Sequence, residues 1–162
     1  MADVESKDAA EAARVLVRSA DKAALGTVGA DGAPLVTLVA LATDTVGAPV
    51  LLLSRIAAHT ANIARDPRVS LMVTGAPADD DPMTAPRLSI NGSLRMLSGD
   101  EAASAKRQFL ARHPGSASYD TELDFSYYRL AIAGARFNQG FGAFRKLGPG
   151  ALLDDAPGED HR

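Results

Sequence analysis

A chain of 162 residues has the length of one domain, and it contains no cysteine and no tryptophan. The missing cysteines exclude a disulfide framework, a cysteine-ligated metal or iron–sulfur site, and thiol catalysis. With 17 Lys and Arg against 20 Asp and Glu, the net charge is −3, and only eight residues (five Phe and three Tyr) are aromatic. This composition argues against nucleic acid or an anionic membrane as a partner, so an anionic ligand needs a local site.

The N-terminal quarter of the chain predicts a helix followed by a hairpin. Apolar residues recur at spacings of three and four over residues 5–20, as in an amphipathic helix. Two strand-like runs follow at 25–28 and 35–41, separated by a turn that contains Asp-Gly. Both faces of the second run are apolar except at Thr37. We therefore expect this strand to be covered on both sides, by a barrel interior and by a helix or a partner subunit.

The rest of the chain alternates between strands and helices. Ser98 and Glu101 fit a capping box at the start of one helix, and Gly92 indicates a bulge or a close backbone approach within a strand. In chain order the elements are strand 50–54, helix 57–65, strand 69–74, strand 87–97, helix 98–112 and strand 127–137. The pattern predicts an α+β fold, a mainly antiparallel six-stranded β-barrel with flanking helices.

We predict one domain over residues 1–147 and a flexible tail over 148–162. In the tail, Gly-Pro-Gly and Asp-Asp-Ala-Pro-Gly-Glu-Asp surround a short apolar patch. No run approaches the roughly 20 apolar residues of a membrane helix, and the N-terminus lacks the basic and apolar run of a signal peptide. The resulting expectation is a cytoplasmic protein.

The segment 51–63 contains the most informative polar residues. A buried strand delivers Ser54 and Arg55 at its end, and the next helix carries His59, Thr60 and Asn62 in its first turns. Helix N-terminal N–H groups, hydroxyls and cationic side chains together favour an anion such as a terminal phosphate. The ordinary alternative is that Ser54 or Thr60 caps the helix, that Arg55 is solvated and that His59 is partly buried.

Six groups of residues occur in a characteristic order. They are Gly26-Thr27-Val28 followed by Gly32-Ala33-Pro34-Leu35-Val36-Thr37, Ser54 with His59-Thr60-x-Asn62-Ile63, Asp66-Pro67-Arg68-Val69-Ser70-Leu71, Arg87-Leu88-x-Ile90-x-Gly92, Asp124-Phe125-x-x-Tyr128-Arg129-Leu130, and Gly140-Phe141-Gly142. Over residues 10–146 this order resembles the pyridoxamine 5′-phosphate oxidase-like family of FMN-binding split barrels. The haem-utilisation (HugZ-like) branch is the more similar part of that family.

The resemblance implies an FMN-binding homodimer whose two barrels share their flavin sites across the interface. The residues that it assigns to the cofactor are Thr37, Leu38 and Val39 beside the flavin, Ser54 and Arg55 near the ribityl chain or phosphate, His59 and Thr60 on the phosphate, Asn62 as a supporting residue, and Phe141 at the isoalloxazine ring. We expect His59, in its cationic form, to bind the phosphate. The resemblance names no catalytic acid or base, and no metal site is predicted.

Two departures from the family pattern argue against two activities known in the family, the oxidation of pyridoxamine phosphate and the degradation of haem. The Arg-Lys pair of true pyridoxamine-phosphate oxidases is replaced by Ala58-His59, and their Trp-containing closing segment is missing, which argues against that substrate. Haem-degrading relatives carry a second domain after the barrel, and only a short segment follows Gly148 here, which argues against haem degradation but not against haem binding.

Three functions remain open from the sequence. The first is an FMN-dependent oxidoreductase in which the flavin carries the two-electron chemistry, with F420 as an alternative to FMN. The second is a haem-binding protein of the haem-utilisation type, with His59, His113 or His161 as an axial ligand. The third is a non-catalytic dimeric module that binds flavin or nothing.

Overall fold

The structure, a computed structural model, describes residues 2–121, 124–140, 142 and 144–154. The helices are α1 (Ala2–Ser19), α2 (Ala58–Arg65) and α3 (Gly99–Arg112). The strands are β1 (Lys22–Val28), β2 (Pro34–Ala40), β3 (Ala42–Thr43), β4 (Pro49–Ser54), β5 (Arg68–Thr74), β6 (Arg87–Met96), β7 (Phe125–Asn138) and β8 (Phe144–Leu147). No helix among these residues is long and apolar enough to span a lipid bilayer.

The eight strands form one curled antiparallel sheet in the order β2-β1-β5-β6-β7-β4-β3, with β8 beside β7. The two ends of this order, β2 and β3, are separated in the chain by Leu41 alone, so the sheet has to curl until its ends meet. β7 pairs with β4 through its first five residues and with β8 through its last four, while β6 runs along its other edge. The predicted α+β split-barrel class is confirmed.

Within the residues that the structure describes, the sheet has two strands more than the six predicted. β3 has only two residues, and β8 exposes three of its four, so neither carries a periodic apolar signal. At the end of β6, Ser98 stands at the N-cap of α3 but its side chain makes no capping hydrogen bond. Glu101 pairs instead with Arg95, whose guanidinium lies 2.8 Å from the carboxylate. The predicted capping box is therefore wrong, because a cross-element ion pair uses the acidic side chain.

The main core lies inside the curled sheet. Leu25, Leu71 and Ile90 face one another across β1, β5 and β6 and are fully buried. α1 packs its apolar face against this core. A second, smaller cluster lies on the other face of β4 and β7, where α3 covers them with Phe109. Full burial of such a side chain contributes about 1.5–3 kcal/mol, so the two clusters hold α1 and α3 on the sheet.

Residues 148–154 pack against α1, although the sequence predicts a flexible tail from residue 148. Leu152 is fully buried in the main core, and Arg14 donates a hydrogen bond of 2.9 Å to the Ala151 carbonyl. Asp154 forms an ion pair of 2.9 Å with Arg18. The predicted domain end at 147 is therefore too early, because the apolar patch finds a partner surface on α1. Residues 155–162 of the predicted tail lie outside the described residues.

The outward face of β2 is apolar and exposed. Val36 and Leu38 are 67% and 74% exposed. Leu38 lies opposite Ala24 of β1, which in turn lies opposite the exposed Met72 of β5. We call Val36, Leu38 and Met72 the apolar strip. The inner covering predicted for this strand is provided by the barrel interior, where Val39 is buried.

Candidate functional site

Polar side chains of α2 bind it to the barrel. The Thr60 hydroxyl donates to the Ser54 carbonyl at the end of β4, over 2.6 Å. His59 Nδ1 lies 3.0 Å from the Thr37 hydroxyl oxygen on β2. The structure thus brings these four predicted residues together around the first turn of α2. This end of the helix lacks a side-chain cap, since the N-cap residue is Ala57.

Asn62 fixes the middle of α2 to β1. Its amide Nδ2 donates to the hydroxyl of Thr27 over 3.0 Å, and both residues are buried. Its Oδ1 accepts from Arg65 over 2.7 Å. Both ends of the amide are therefore engaged within the protein, as a supporting role requires.

A cleft of about 300 Å³ lies between α2 and the inner face of β4, β6 and β7. Its lining residues are Leu53, Arg55, Thr60, Ala61, Ala64, Met96, Ser126 and Tyr128. The strand register explains this grouping, since Leu53 is paired with Ser126 and Met96 with Tyr128, and paired residues share a face. Arg55 and Thr60 are the two predicted residues that line this cleft.

Tyr128 forms the buried wall of the cleft. The residue is only 4% exposed, and its hydroxyl has no hydrogen-bond partner among the described residues. Burial raises the pKa of this phenol, whereas the nearby Arg55 guanidinium acts in the opposite direction. The cleft therefore holds a neutral, unpaired phenol beside a cation. Tyr128 is not among the site residues that the sequence predicts, because local sequence does not show which face of the strand lies next to a cleft.

Arg55 stands at the rim of the cleft. Its side chain is 73% exposed, and its guanidinium lies 3.7 Å from a carboxylate oxygen of Asp124. An ion pair between two exposed groups contributes at most about 1 kcal/mol. Little free energy therefore holds the guanidinium away from an anionic ligand in the cleft.

Strand geometry separates the three consecutive residues assigned to the flavin. Thr37 and Val39 face the barrel interior, and Val39 is buried in the core, whereas Leu38 points outward on the apolar strip. The three side chains therefore do not line one site within a single chain. Ser54 is half-buried, and its hydroxyl oxygen accepts from the Ile56 N–H over 3.4 Å. Phe141 lies outside the described residues.

The histidines differ in their surroundings. Burial lowers the pKa of His59 from 6.5, so without a ligand its ring favours the neutral form near neutral pH. His113 Nε2 lies 2.7 Å from the Leu41 carbonyl, and its ring packs on Phe109 with centroids 4.8 Å apart. His113 is therefore a packing residue, and His161 lies outside the described residues.

Comparison with known proteins agrees with this fold. The model of the CREG β-barrel family matches residues 4–151. The chloroplastic non-canonical heme oxygenase HOZ of Arabidopsis thaliana is 30% identical over 110 residues, which are 68% of this chain and 33% of that protein. A heme-binding protein from Mycobacterium smegmatis is 31% identical, with a TM-score of 0.83 over 89% of this chain and 59% of that one.

A more distant structure shares the fold alone. It is a Clostridium acetobutylicum protein of the pyridoxinephosphate oxidase family, related to general stress protein 26, with 12% identity and a TM-score of 0.69 over 90% of this chain and 98% of that one. This chain spans about a third of the plant relative and about three fifths of the mycobacterial one. The family match over residues 4–151 shows that the chain belongs to the CREG β-barrel family.

Proposed function

We propose that this chain binds haem in the cleft between α2 and the sheet. The observation that carries the proposal is the cleft itself, which has apolar walls and a weakly held cation, Arg55, at its rim. Two relatives at 30% and 31% identity are a heme oxygenase and a heme-binding protein, which favours haem over other planar anions.

The lining residues fit the three requirements of haem. Leu53, Ala61 and Ala64 are small or apolar, and they leave room for contact with a flat ring. Arg55 can donate charge-assisted hydrogen bonds to a propionate. The phenol of Tyr128 and the thioether of Met96 are donors of the kind that ligate haem iron. Bound haem would supply redox or oxygen chemistry, and the residues of this chain would orient it and exclude water.

Titration of the purified protein with ferric haem tests the proposal. We expect a Soret band that shifts and saturates at one haem per chain. Arg55→Gln should weaken binding by about 10-fold or more, because a hydrogen bond to a charged group contributes about 1.5–3 kcal/mol. Arg68→Gln is the matched control, since Arg68 is equally exposed and pairs with Asp66 outside the cleft. A wild-type protein without saturable binding would refute the proposal.

We also propose that the chain forms a homodimer through the apolar strip. Val36, Leu38 and Met72 are 67%, 74% and 43% exposed, and contact with the same strip of a second chain would remove these side chains from water. Light scattering should give twice the chain mass for the wild type, and Leu38→Lys should give the monomer mass. Val15→Lys is the control, because Val15 is an equally exposed apolar residue on α1. A monomeric wild type at micromolar concentration would contradict this proposal.

FMN binding is the second candidate, and the first turn of α2 favours it. The hydroxyls of Thr37 and Thr60 and the neutral His59 ring lie close together there. The fold is also shared with the pyridoxinephosphate oxidase family protein. With bound FMN or F420 the chain would act as an oxidoreductase through the flavin chemistry. Mass spectrometry of the small molecule released by denaturing the purified protein separates haem, FMN and F420, and an empty protein that binds none of them favours the non-catalytic module.

A further inference from the structure

At a β-bulge, β7 contains one residue more than its partner β6. The pairing shifts register between Asn91 and Gly92, so Ala133 of β7 has no residue opposite it. The sequence predicts a bulge or a close backbone approach at Gly92, and both are present, because a Cβ at this position would overlap the Ala131 carbonyl oxygen. Glycine at position 92 therefore lets the two strands come this close.

The bulge turns Arg136 to the outer face of the sheet. Side chains alternate along a strand, so an extra residue exchanges the faces of all residues beyond it. Leu130 faces the main core before the bulge, and Phe137 faces it after the bulge. With strict alternation Arg136 would share the inward face of Leu130. Its guanidinium is therefore outside the barrel because of the inserted residue.

Arg136 has a second cation beside it on the neighbouring strand. β8 places Lys146 directly opposite Arg136, and both residues are exposed. Like charges at directly opposed positions of an antiparallel pair repel each other. Arg136 lies over the ring of Phe144, 5.8 Å from its centroid, and neither cation forms an ion pair with a carboxylate among the described residues. No described group therefore offsets the repulsion between the two cations.

An open groove of about 300 Å³ lies beside the two cations, and we call it the outer groove. The bulge residues Ala133 and Gly134 line it together with Asn91, Arg136 and Lys146, and its two other lining residues are apolar. None of these residues carries a carboxylate, although the net charge of the chain is −3. Asn91 is exposed and adds an amide donor. The outer groove therefore combines hydrogen-bond donors with positive charge.

We propose that the outer groove binds a phosphate group, which Arg136 and Lys146 hold. A guanidinium binds phosphate oxygens through a fork of N–H donors, and an ammonium adds a compact charge. A phosphate with nearly two negative charges matches the two cations and offsets their repulsion. Asn91 can donate to a further oxygen. The outer groove and Tyr128 lie on opposite faces of the sheet, so this site does not depend on haem or flavin in the cleft.

Titration of the isotope-labelled chain with inorganic phosphate, followed by NMR, tests the proposal. We expect saturable shifts of the amide resonances of Ala133 and Gly134. Arg136→Gln and Lys146→Gln should each weaken phosphate binding about 10-fold or more, because each removes a hydrogen bond between charged groups. Arg145→Gln is the matched control, since it removes the same charge from β8 at a position paired with the inward-facing Phe137. This variant should bind phosphate as the wild type does.

Thermal melting with and without phosphate shows whether the cation pair serves a ligand or the fold. Without phosphate, Lys146→Gln should melt at the wild-type temperature or slightly above it, because the substitution relieves a repulsion. Phosphate should raise the Tm of the wild type and of Arg145→Gln but not that of Lys146→Gln, since a ligand of the folded chain stabilises it. A Lys146→Gln variant that melts well below the wild type without phosphate would show a structural role and overturn the proposal.

Further probes distinguish the sources of the phosphate group. Tighter binding of glycerol phosphate than of inorganic phosphate would support the site and indicate a phosphorylated small molecule. Binding to vesicles that contain phosphatidic acid, lost in Arg136→Gln, would support it and indicate a lipid headgroup. Acetate that binds as tightly as phosphate would overturn the phosphate assignment. Shifts that never saturate, or an equal loss of binding in Arg145→Gln and Arg136→Gln, would show only a general attraction between charges and overturn the site.

Discussion

Tyr127 and Tyr128 are neighbours on β7 but lie in opposite environments. Tyr127 points to the face that α3 covers, and its hydroxyl donates to Asp120. Tyr128 points to the face under α2, where the cleft opens and its hydroxyl has no partner in the described part of the chain. Burial raises the pKa of both phenols, and the carboxylate of Asp120 raises that of Tyr127 further. The comparison shows that Tyr127 is held by an internal hydrogen bond, whereas Tyr128 lies beside an open cleft.

On the side that α3 covers, Tyr127, Asp120 and Lys106 form a small network of a hydrogen bond and an ion pair. Asp120 is 7% exposed, and its carboxylate accepts from Tyr127 and lies 3.0 Å from the ammonium of Lys106 on α3. The Tyr127 ring meets Phe109 edge-on, with centroids 5.6 Å apart. Each polar group therefore has a partner, so we assign this network to stability and not to ligand binding.

Among the substitutions that test the contrast between the two tyrosines, Asp120→Ala is expected to lower the free energy of unfolding most. The substitution leaves the Tyr127 hydroxyl unpaired in a buried position and removes the ion pair with Lys106. We expect the free energy of unfolding to fall by about 2–3 kcal/mol, and no more because Lys106 is partly exposed and can turn to solvent. Urea denaturation measures the change. A loss below about 0.5 kcal/mol would mean that the network is not a stabilising one.

Tyr127→Phe should have a smaller effect in the same direction. The ring contact with Phe109 is kept, and Asp120 keeps Lys106, so only one hydrogen bond to a charged acceptor is lost. The expected loss is about 1.5 kcal/mol in the free energy of unfolding. Combined with Asp120→Ala in a double-mutant cycle, the two losses should not add, because both remove the same bond. Additive losses would contradict the network.

Tyr128→Phe should leave the free energy of unfolding almost unchanged. Its hydroxyl has no partner among the described residues, so the substitution breaks no internal bond. We expect a change within about 0.5 kcal/mol, measured by urea denaturation without ligand. A loss as large as that of Tyr127→Phe would show that the hydroxyl has a structural partner, and the contrast between the two tyrosines would disappear.

Much of the fold follows from patterns in the sequence. The six predicted strands and three helices are present with ends within three residues, because alternation and turn residues reflect the two faces of a sheet. β3 and β8 are too short for such a pattern. The burial of Leu152 could not be predicted, because it depends on a tertiary contact with α1 and not on local composition.

The sequence predicts which segment of the chain forms the candidate site, but not which side chains of the strands face it. The strand-to-helix pattern grouped Arg55 and Thr60, and both line the cleft. Adjacent strand residues point to opposite faces, and which face is open depends on where the helices pack. Leu38 was therefore grouped with Thr37, although they face apart, and Tyr128 was not among the predicted site residues.

The smallest predicted effect concerns His59, which shares the α2 side with Tyr128 but has a partner. Because burial lowers its pKa in the folded chain, the unfolded chain binds the proton more tightly. Stability should therefore decrease as the pH falls below 6.5, until the folded chain is protonated as well. NMR titration should give a His59 midpoint below that value, and wild type should lose more stability than His59→Gln between about pH 7.5 and about pH 5.5. A midpoint above 6.5 would instead indicate a cationic ring that attracts an anion, and would return the phosphate interpretation to this side of α2.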